Sequence, residues 1–263
     1  MTRLALGLIA GLASLPAFAE DLPKTVPATG EATAASEATM TDAERKAFRD
    51  EVRAYLLDNP EVLIEAMDVL QKREEDASLA RDVQMVSTHN DVIFQNPNDW
   101  VGGNPNGDIT LVEFMDYRCG YCRKAYSEVD ELIKTDGNIR FVVKEFPILG
   151  DASMLSAQFA IALRQLHGDE AYAKAHDALM TLRGEPTPET LARLATDLGL
   201  EAKPIIDRMN APEVMAVIKD NYALAEQMEI TGTPAFVLKD TVMRGYAPLE
   251  TMQDFIKDAR ADG

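Results

Sequence analysis

The stretch ITLVEFMDYRCGYCRKAYSEVDELIKTDGNIRFVVKEFP, residues 109–147, decides the fold. Its first residues, Ile109 to Met115, are rich in β-branched, aromatic and large apolar side chains and read as a buried strand. A helical pattern opens at Cys119 and runs to about Thr135. Ile139 to Phe146 returns to strand character, and Pro147, which cannot donate to a ladder, closes it. Strand, helix and strand with short connections imply a parallel pair and a right-handed crossover.

Moving toward the C-terminus, residues 151 to about 229 read as a helical insertion. Its segments are Ser153–Leu166, Glu170–Leu182, Glu189–Leu198, Lys203–Met209 and Pro212–Met228. After TGTP (231–234), AFVL (235–238) and TVMRGY (241–246) read as two short strands divided by a turn at Lys239-Asp240. A last helix is expected over Pro248–Ala261. The class is α/β. Moving the other way, NPNDWVGGNPNGD (96–108) is dense in turn residues and marks a boundary, so 91–263 reads as one domain.

Residues 41–90 read as a helical N-terminal region. TDAE (41–44) is a capping box, and Phe48, Val52 and Tyr55/Leu56 follow at helical spacing. DNPE breaks and restarts the helix, with Asn59 expected as N-cap and Pro60 as the first helical residue. Leu63, Ala66, Met67 and Leu70 form an apolar stripe, which QKREED (71–76) interrupts. Two such helices hold too little apolar surface for a core of their own. They pack either on their own domain or on copies from other chains as a stalk.

The first 19 residues, MTRLALGLIAGLASLPAFA, carry one early charge, an apolar run and a small-x-small end. This is the pattern of a cleaved secretory signal, and the run is short for a membrane span. Residues 20–40 are Ala, Thr, Glu and Pro with few large apolar groups, and read as a disordered linker. The expected compartment is a bacterial periplasm. The formal net charge of −18 disfavours nucleic acid, and a single tryptophan, Trp100, offers no stacking surface for it.

Export changes how the only two cysteines read. Cys119 stands at the start of a helix, where unpaired amides and the dipole favour a thiolate, the nucleophile of disulfide exchange. Cys122 lies nearly a turn further, within reach to resolve a mixed disulfide. Gly120 and Tyr121 between them tune the pair. A structural bridge would close too small a loop to stabilise much. A zinc site would need two more ligands, and His89, His167 and His176 are scattered, the last two expected as exposed helix residues. Two thiolates holding Cu(I) remain an alternative, although the twelve methionines form no tight cluster. No cofactor is expected beyond the dithiol itself, and no metal site. Glu113, six residues before Cys119 in an apolar strand, is costly without a task. It is either a proton partner for Cys122, held neutral by burial, or an edge-strand residue facing solvent. Thr233-Pro234, just before a strand, also needs a reason.

EFMDYRCGYC, KEFPILG, the helical insertion and TGTPAFVL together resemble the DsbA-like branch of the thioredoxin superfamily, over residues 95–263. The resemblance implies a thioredoxin-like fold with an inserted helical subdomain. It also implies catalytic Cys119 and Cys122, Glu113 as a buried carboxylate, and a cis Thr233-Pro234 bond beside the thiols. The Thr233 backbone would pair with an extended client chain. FRDEVRAYLLDNPEVLIEAMDVLQ (48–71) resembles the N-terminal region of the suppressor-of-copper-sensitivity C (ScsC) proteins. Members with this region resemble trimeric disulfide isomerases, with QKREED then a hinge and residues 41–90 the trimerising part. Three functions follow. The preferred one is an exported disulfide isomerase acting on misoxidised or unfolded clients and kept reduced by a membrane partner. The others are a dithiol oxidase served by a quinone-linked membrane partner, and a copper-binding protein using the same thiols.

Overall fold

The computed structural model describes residues 40–261. The signal sequence read at 1–19 and all but the last residue of the 20–40 linker lie outside the described residues. Helices α1 (Asp42–Asp58), α2 (Glu61–Thr88) and α3 (Asn90–Phe94) precede strand β1 (Trp100–Gly103). The central unit is β2 (Ile109–Met115), α4 (Gly120–Asp136) and β3 (Ile139–Glu145). The insertion holds α5 (Asp151–His167), α6 (Asp169–Met180), α7 (Pro188–Asp197), α8 (Ala202–Arg208) and α9 (Pro212–Gln227). Strands β4 (Ala235–Leu238) and β5 (Thr241–Arg244) and helix α10 (Leu249–Ala261) complete the chain.

The sheet order is β1-β3-β2-β4-β5, with β2 at the centre. β2 and β3 are parallel across the α4 crossover, in a register that sets Glu113 beside Val143. β4 runs antiparallel to β2, setting Phe236 on its other side, and pairs with β5 in a hairpin. β1 was not expected. It lies inside the turn-dense segment and pairs antiparallel along the edge of β3, from Trp100 opposite Val143 to Gly103 opposite Arg140. Gly103 has φ +66°, and a Cβ there would stand 2.4 Å from the Ile139 carbonyl oxygen, so only glycine lets this edge close.

Alternation along β2 feeds two cores. Leu111 and Met115 face α4, where Val129 and Leu132 meet them, together with the insertion helices. Val112 and Phe114 face the other way, onto Leu224 of α9, Met228 just after it, Ile93 of α3 and Val86 near the end of α2. Lys144 is fully buried on that second side, ion-paired with Asp99 and donating to the Val92 carbonyl at 2.6 Å.

Contacts divide the chain at Val62, so the residues up to there form one unit and Leu63 onward another. In the first, Thr41 and Glu44 form the expected capping box at the start of α1. Asn59 is not the N-cap of the next helix. Its backbone N–H and its Nδ2 both donate to the Tyr55 carbonyl and so close α1, and α2 begins at Glu61, after Pro60. No residue of α1 is buried; Phe48, Val52, Tyr55 and Leu57 are exposed. In the second unit, α2 continues unbroken through QKREED, where Gln71–Glu75 and Lys72–Asp76 pair one turn apart. Its apolar residues Leu63, Ile64, Met67 and Leu70 are exposed, whereas Asp82 and Val86 are buried. Among the described residues no helix is long and apolar enough to cross a membrane.

Candidate active site

β2 ends at Met115, and three residues carry the chain to Cys119. Asp116 shapes that link. Its Oδ1 accepts from the Arg118 amide (2.7 Å) and its Oδ2 from the amides of Ile148 and Leu149 (2.8 and 3.1 Å). Its carbonyl accepts from the Cys119 amide. One buried carboxylate therefore fixes both the turn before the thiols and the loop after β3. Arg123 ties the same turn to the insertion: Nε donates to the Tyr117 carbonyl, and the two terminal nitrogens donate to the carbonyls of Leu182 and Leu179.

Cys119 is the N-cap of α4, and its sulfur accepts from the Cys122 amide at 3.4 Å. The Cys119 Sγ also donates to the Thr233 carbonyl at 3.2 Å. Both cysteines are free thiols; Cys119 is 7% exposed and Cys122 is fully buried. The outer sulfur can thus meet a partner and the inner one cannot without the outer one reacting first. Burial pushes the Cys122 thiol far above its ordinary range, and the neighbouring Glu113 carboxylate pushes it further. The Thr233–Pro234 bond is cis. The Pro234 carbonyl accepts from Gly245 just after β5, which anchors the loop to the hairpin.

Glu113 does not face solvent. It is 3% exposed, on the same side of β2 as Leu111 and Met115, and burial pushes its carboxyl up to about 8. Its Oε1 has no hydrogen-bond partner. Gly120 has open space where a Cβ would be, and Tyr121 is 63% exposed. The Tyr121 ring stacks on Tyr246 at 6.0 Å, Lys124 Nζ lies 4.1 Å from the centre of the Tyr246 ring, and the Tyr246 hydroxyl donates to Glu128. Six of the seven residues singled out in the sequence therefore lie at the start of α4 or in the loop before β4, and Glu113, in the middle of β2, is near enough to Cys122 to raise its thiol.

Two groups escaped the sequence reading. Asp116 carried a signal, an Asx-type turn residue directly after a strand. Glu145 carried the same signal as Glu113, a carboxylate in an apolar strand, and was passed over as strand content. It is buried beside Met115, its Oε1 accepts from the hydroxyls of Tyr117 (2.8 Å) and Tyr172 (2.6 Å), and burial pushes it up to about 8. His176, expected exposed, is buried. Its Nδ1 meets the Tyr117 hydroxyl at 3.1 Å, its ring stacks on Trp100 and Tyr172, and burial lowers it to about 4. The insertion folds back on the sheet at this helix, so the polar position at 176 is internal. His167 is exposed as expected. Among the described residues no group of three or more His, Cys, Asp or Glu is arranged to hold a metal ion.

Comparison with known proteins gives this geometry a family. The DSBA-like thioredoxin domain matches residues 110–257, and the copper resistance protein ScsC N-terminal domain matches residues 44–77. A thioredoxin-like oxidoreductase from Silicibacter pomeroyi DSS-3 is 42% identical, with 65% of this chain and 97% of that one covered and a TM-score of 0.61. BcfH from Salmonella enterica Typhimurium is 27% identical over 82% of this chain and 96% of its own, with a TM-score of 0.69. The Na(+)/H(+) antiporter NhaA 1 of Salinispora arenicola is 30% identical over 168 residues, 62% of this chain and 25% of the antiporter. The chain spans about a quarter of the length of the first curated relatives it matches. With one family matched across more than half of the residues, over the very segment that builds the thiol site, the chain belongs to the DSBA-like thioredoxin domain family.

Proposed function

We propose that this protein is an exported, periplasmic disulfide isomerase. Cys119 is the attacking sulfur, Cys122 the resolving one, and Glu113 the proton partner of Cys122. The Cys119 thiolate attacks a client disulfide, forms a mixed disulfide and releases a client thiolate. A client thiolate then attacks the client sulfur of that bond, which re-forms a different client disulfide and restores the Cys119 thiolate, with no net electron transfer. If the client stalls, the ionised fraction of Glu113 takes the Cys122 proton, and the Cys122 thiolate attacks Cys119 and breaks its bond to the client. The client leaves reduced, and a membrane thiol-redox partner re-reduces the Cys119–Cys122 disulfide. Thr233 and Pro234 hold the extended client through the Thr233 backbone. Gly120 and Tyr121 tune the pair.

The observation that carries the isomerase reading is the ScsC-type match at 44–77, which falls on helices whose large apolar side chains are exposed. A monomeric oxidase has no use for that surface; a homotrimer built through residues 41–90 covers it. Several dithiols around one cleft then raise the effective concentration of thiol at a bound client. In this reading 91–263 is the catalytic domain, and the last turns of α2 serve both parts.

The test is reactivation of scrambled ribonuclease by the reduced mature protein and by a truncation starting at Asp76, which keeps Asp82 and Val86. Strong activity that collapses in the truncation supports the proposal. Failure of both forms, with rapid oxidation of reduced ribonuclease by the disulfide form, turns the assignment to an oxidase. Stoichiometric Cu(I) binding that blocks both reactions turns it to copper sequestration.

A further inference from the structure

Beside the buried carboxyl lies a half-open cavity of about 250 Å³ that thiol exchange does not use. Trp100, Tyr126 and Phe141 give it aromatic walls, and Val129 and Ile133 of α4 complete its apolar lining. The walls are fixed in advance. Trp100 stacks on Tyr172 at 5.2 Å, meets Phe141 edge-on, and donates from Nε1 to the Asp169 carbonyl. The Tyr126 hydroxyl donates to Asp177 at 2.7 Å. Glu113 joins this lining with an oxygen that has no partner, and a buried polar atom without a partner calls for an explanation.

The charge of the lining says which ligand would supply that partner. Besides Glu113 it holds the carboxylates of Asp130 and Asp177 and one cation, Lys134, which is exposed and paired with Asp130 at 2.7 Å. His176 also lines the cavity and is neutral. The balance is acidic and the walls are π-faces, a combination that attracts a cation with a flat apolar body. Pockets for drug-sized ligands run about 300–1,000 Å³, so this ligand is smaller. We propose that the cavity between α4 and α6 is a binding site for a small organic cation of the aryl-amidine or aryl-amine class, with Glu113 as its counter-ion. The site rests on the position of Glu113 and does not depend on whether the protein isomerises or oxidises its clients.

Binding is then linked to pH. Glu113 ionises at about 8, and the cation pairs with the anion. The strand neighbours Val143 and Phe236 bring no titratable group to Glu113. Helix α4 brings Cys122, Asp130 and Lys134, and α6 brings His176 and Asp177. Of these, Cys122 titrates far above and His176 well below the window in question.

The probe is benzamidine, cationic throughout, and the reporter is built in: Trp100 is the sole tryptophan of the chain. Titration of the full-length mature protein, followed by Trp100 fluorescence and by calorimetry, is expected to show one site per chain. Its affinity should be about 30-fold stronger at pH 9 than at pH 6.5, because the competent anion rises from a few per cent to most of the population. Glu113→Gln should weaken binding at pH 9 and abolish the pH dependence. Ile133→Phe, which fills the cavity, should lose binding while Cys119 keeps its reactivity toward a small disulfide. Lys134→Ala, an exposed change that spares the core, should tighten binding. No saturable response at pH 9, equal affinity at the two pH values, or wild-type binding by Ile133→Phe would overturn the proposal. None of these results bears on ribonuclease reactivation, so the two readings fail separately.

Discussion

Glu113 and the two thiols can each be tested by one substitution. Cys122→Ser should leave stalled mixed disulfides between Cys119 and a client unresolved, so mass spectrometry should recover more client-bound chain than from the parent. Cys119→Ser should trap nothing, because Cys122 is fully buried. Glu113→Gln should change how stability depends on pH. The Glu113 carboxyl is held at about 8 in the folded protein against an ordinary value of 4.5. Its contribution is thus fully present below about pH 4.5 and is lost as pH rises to about 8, because the unfolded chain releases the proton first. The cost of keeping this group in the core by pH 8.5 is on the order of 4 kcal/mol. The Gln variant carries no such loss, so urea unfolding should find it close to wild type at pH 4.5 and clearly more stable at pH 8.5. Glu145 obeys the same sign, and His176 the opposite one below about pH 6.5, which is why the comparison must be between variant and parent.

At the scale of elements, α2 is seated on the sheet by buried Val86 and by one ion pair. Arg244 of β5 reaches Asp82 of α2 with both terminal nitrogens, at 3.1 and 2.8 Å, and also donates to the carbonyls of Met228 and Glu229. The next residue, Gly245, donates to the Pro234 carbonyl. Arg244→Met leaves a buried carboxylate without its partner and should cost about 2 kcal/mol, read by urea denaturation. The same substitution should also slow client exchange through the Pro234 loop more than it slows reaction of Cys119 with a small disulfide. The elements of this unit show what sequence can reveal. β2 and β3 were legible because their apolar runs are long and bounded. The insertion helices were legible because Gly and Pro punctuate them. β1 was not, because four residues, two of them glycine, carry no periodicity; its existence depends on β3 offering an edge. At the site, the thiols were legible from type and spacing, Glu113 was marked by its cost in an apolar strand with its face left open, and Thr233-Pro234 entered through the family resemblance. Asp116 and Glu145 carried local signals but owe their roles to the 148–149 amides and to Tyr117 and Tyr172, and the buried place of His176 depends on partners distant in sequence. Asn59 failed for a local reason, as an amide between two helices can serve either and its hydrogen bonds go to the earlier one.

For the whole molecule the question is what covers the apolar surface of the first helices. Charging it with Ile64→Glu and Met67→Glu should produce monomers by light scattering and abolish scrambled-ribonuclease reactivation. Both positions are exposed, so the fold and the reaction of Cys119 with a small disulfide should be unchanged. The formal charge of −18 adds that copies held together do so against mutual repulsion, so the assembly should tighten with added salt. One feature of the site has a longer reach. A Cβ at position 120 would touch nothing, and its neighbour Tyr121 stands largely in solvent with only the Tyr246 ring stacked on it, so both residues between the sulfurs lie outside the buried core. In the proposed reading those two positions tune the redox poise of the pair. If they tune the pair as proposed, the architecture and the direction of the chemistry are inherited separately: drift at two surface codons shifts the electron flow while the strands and helices beneath keep their packing.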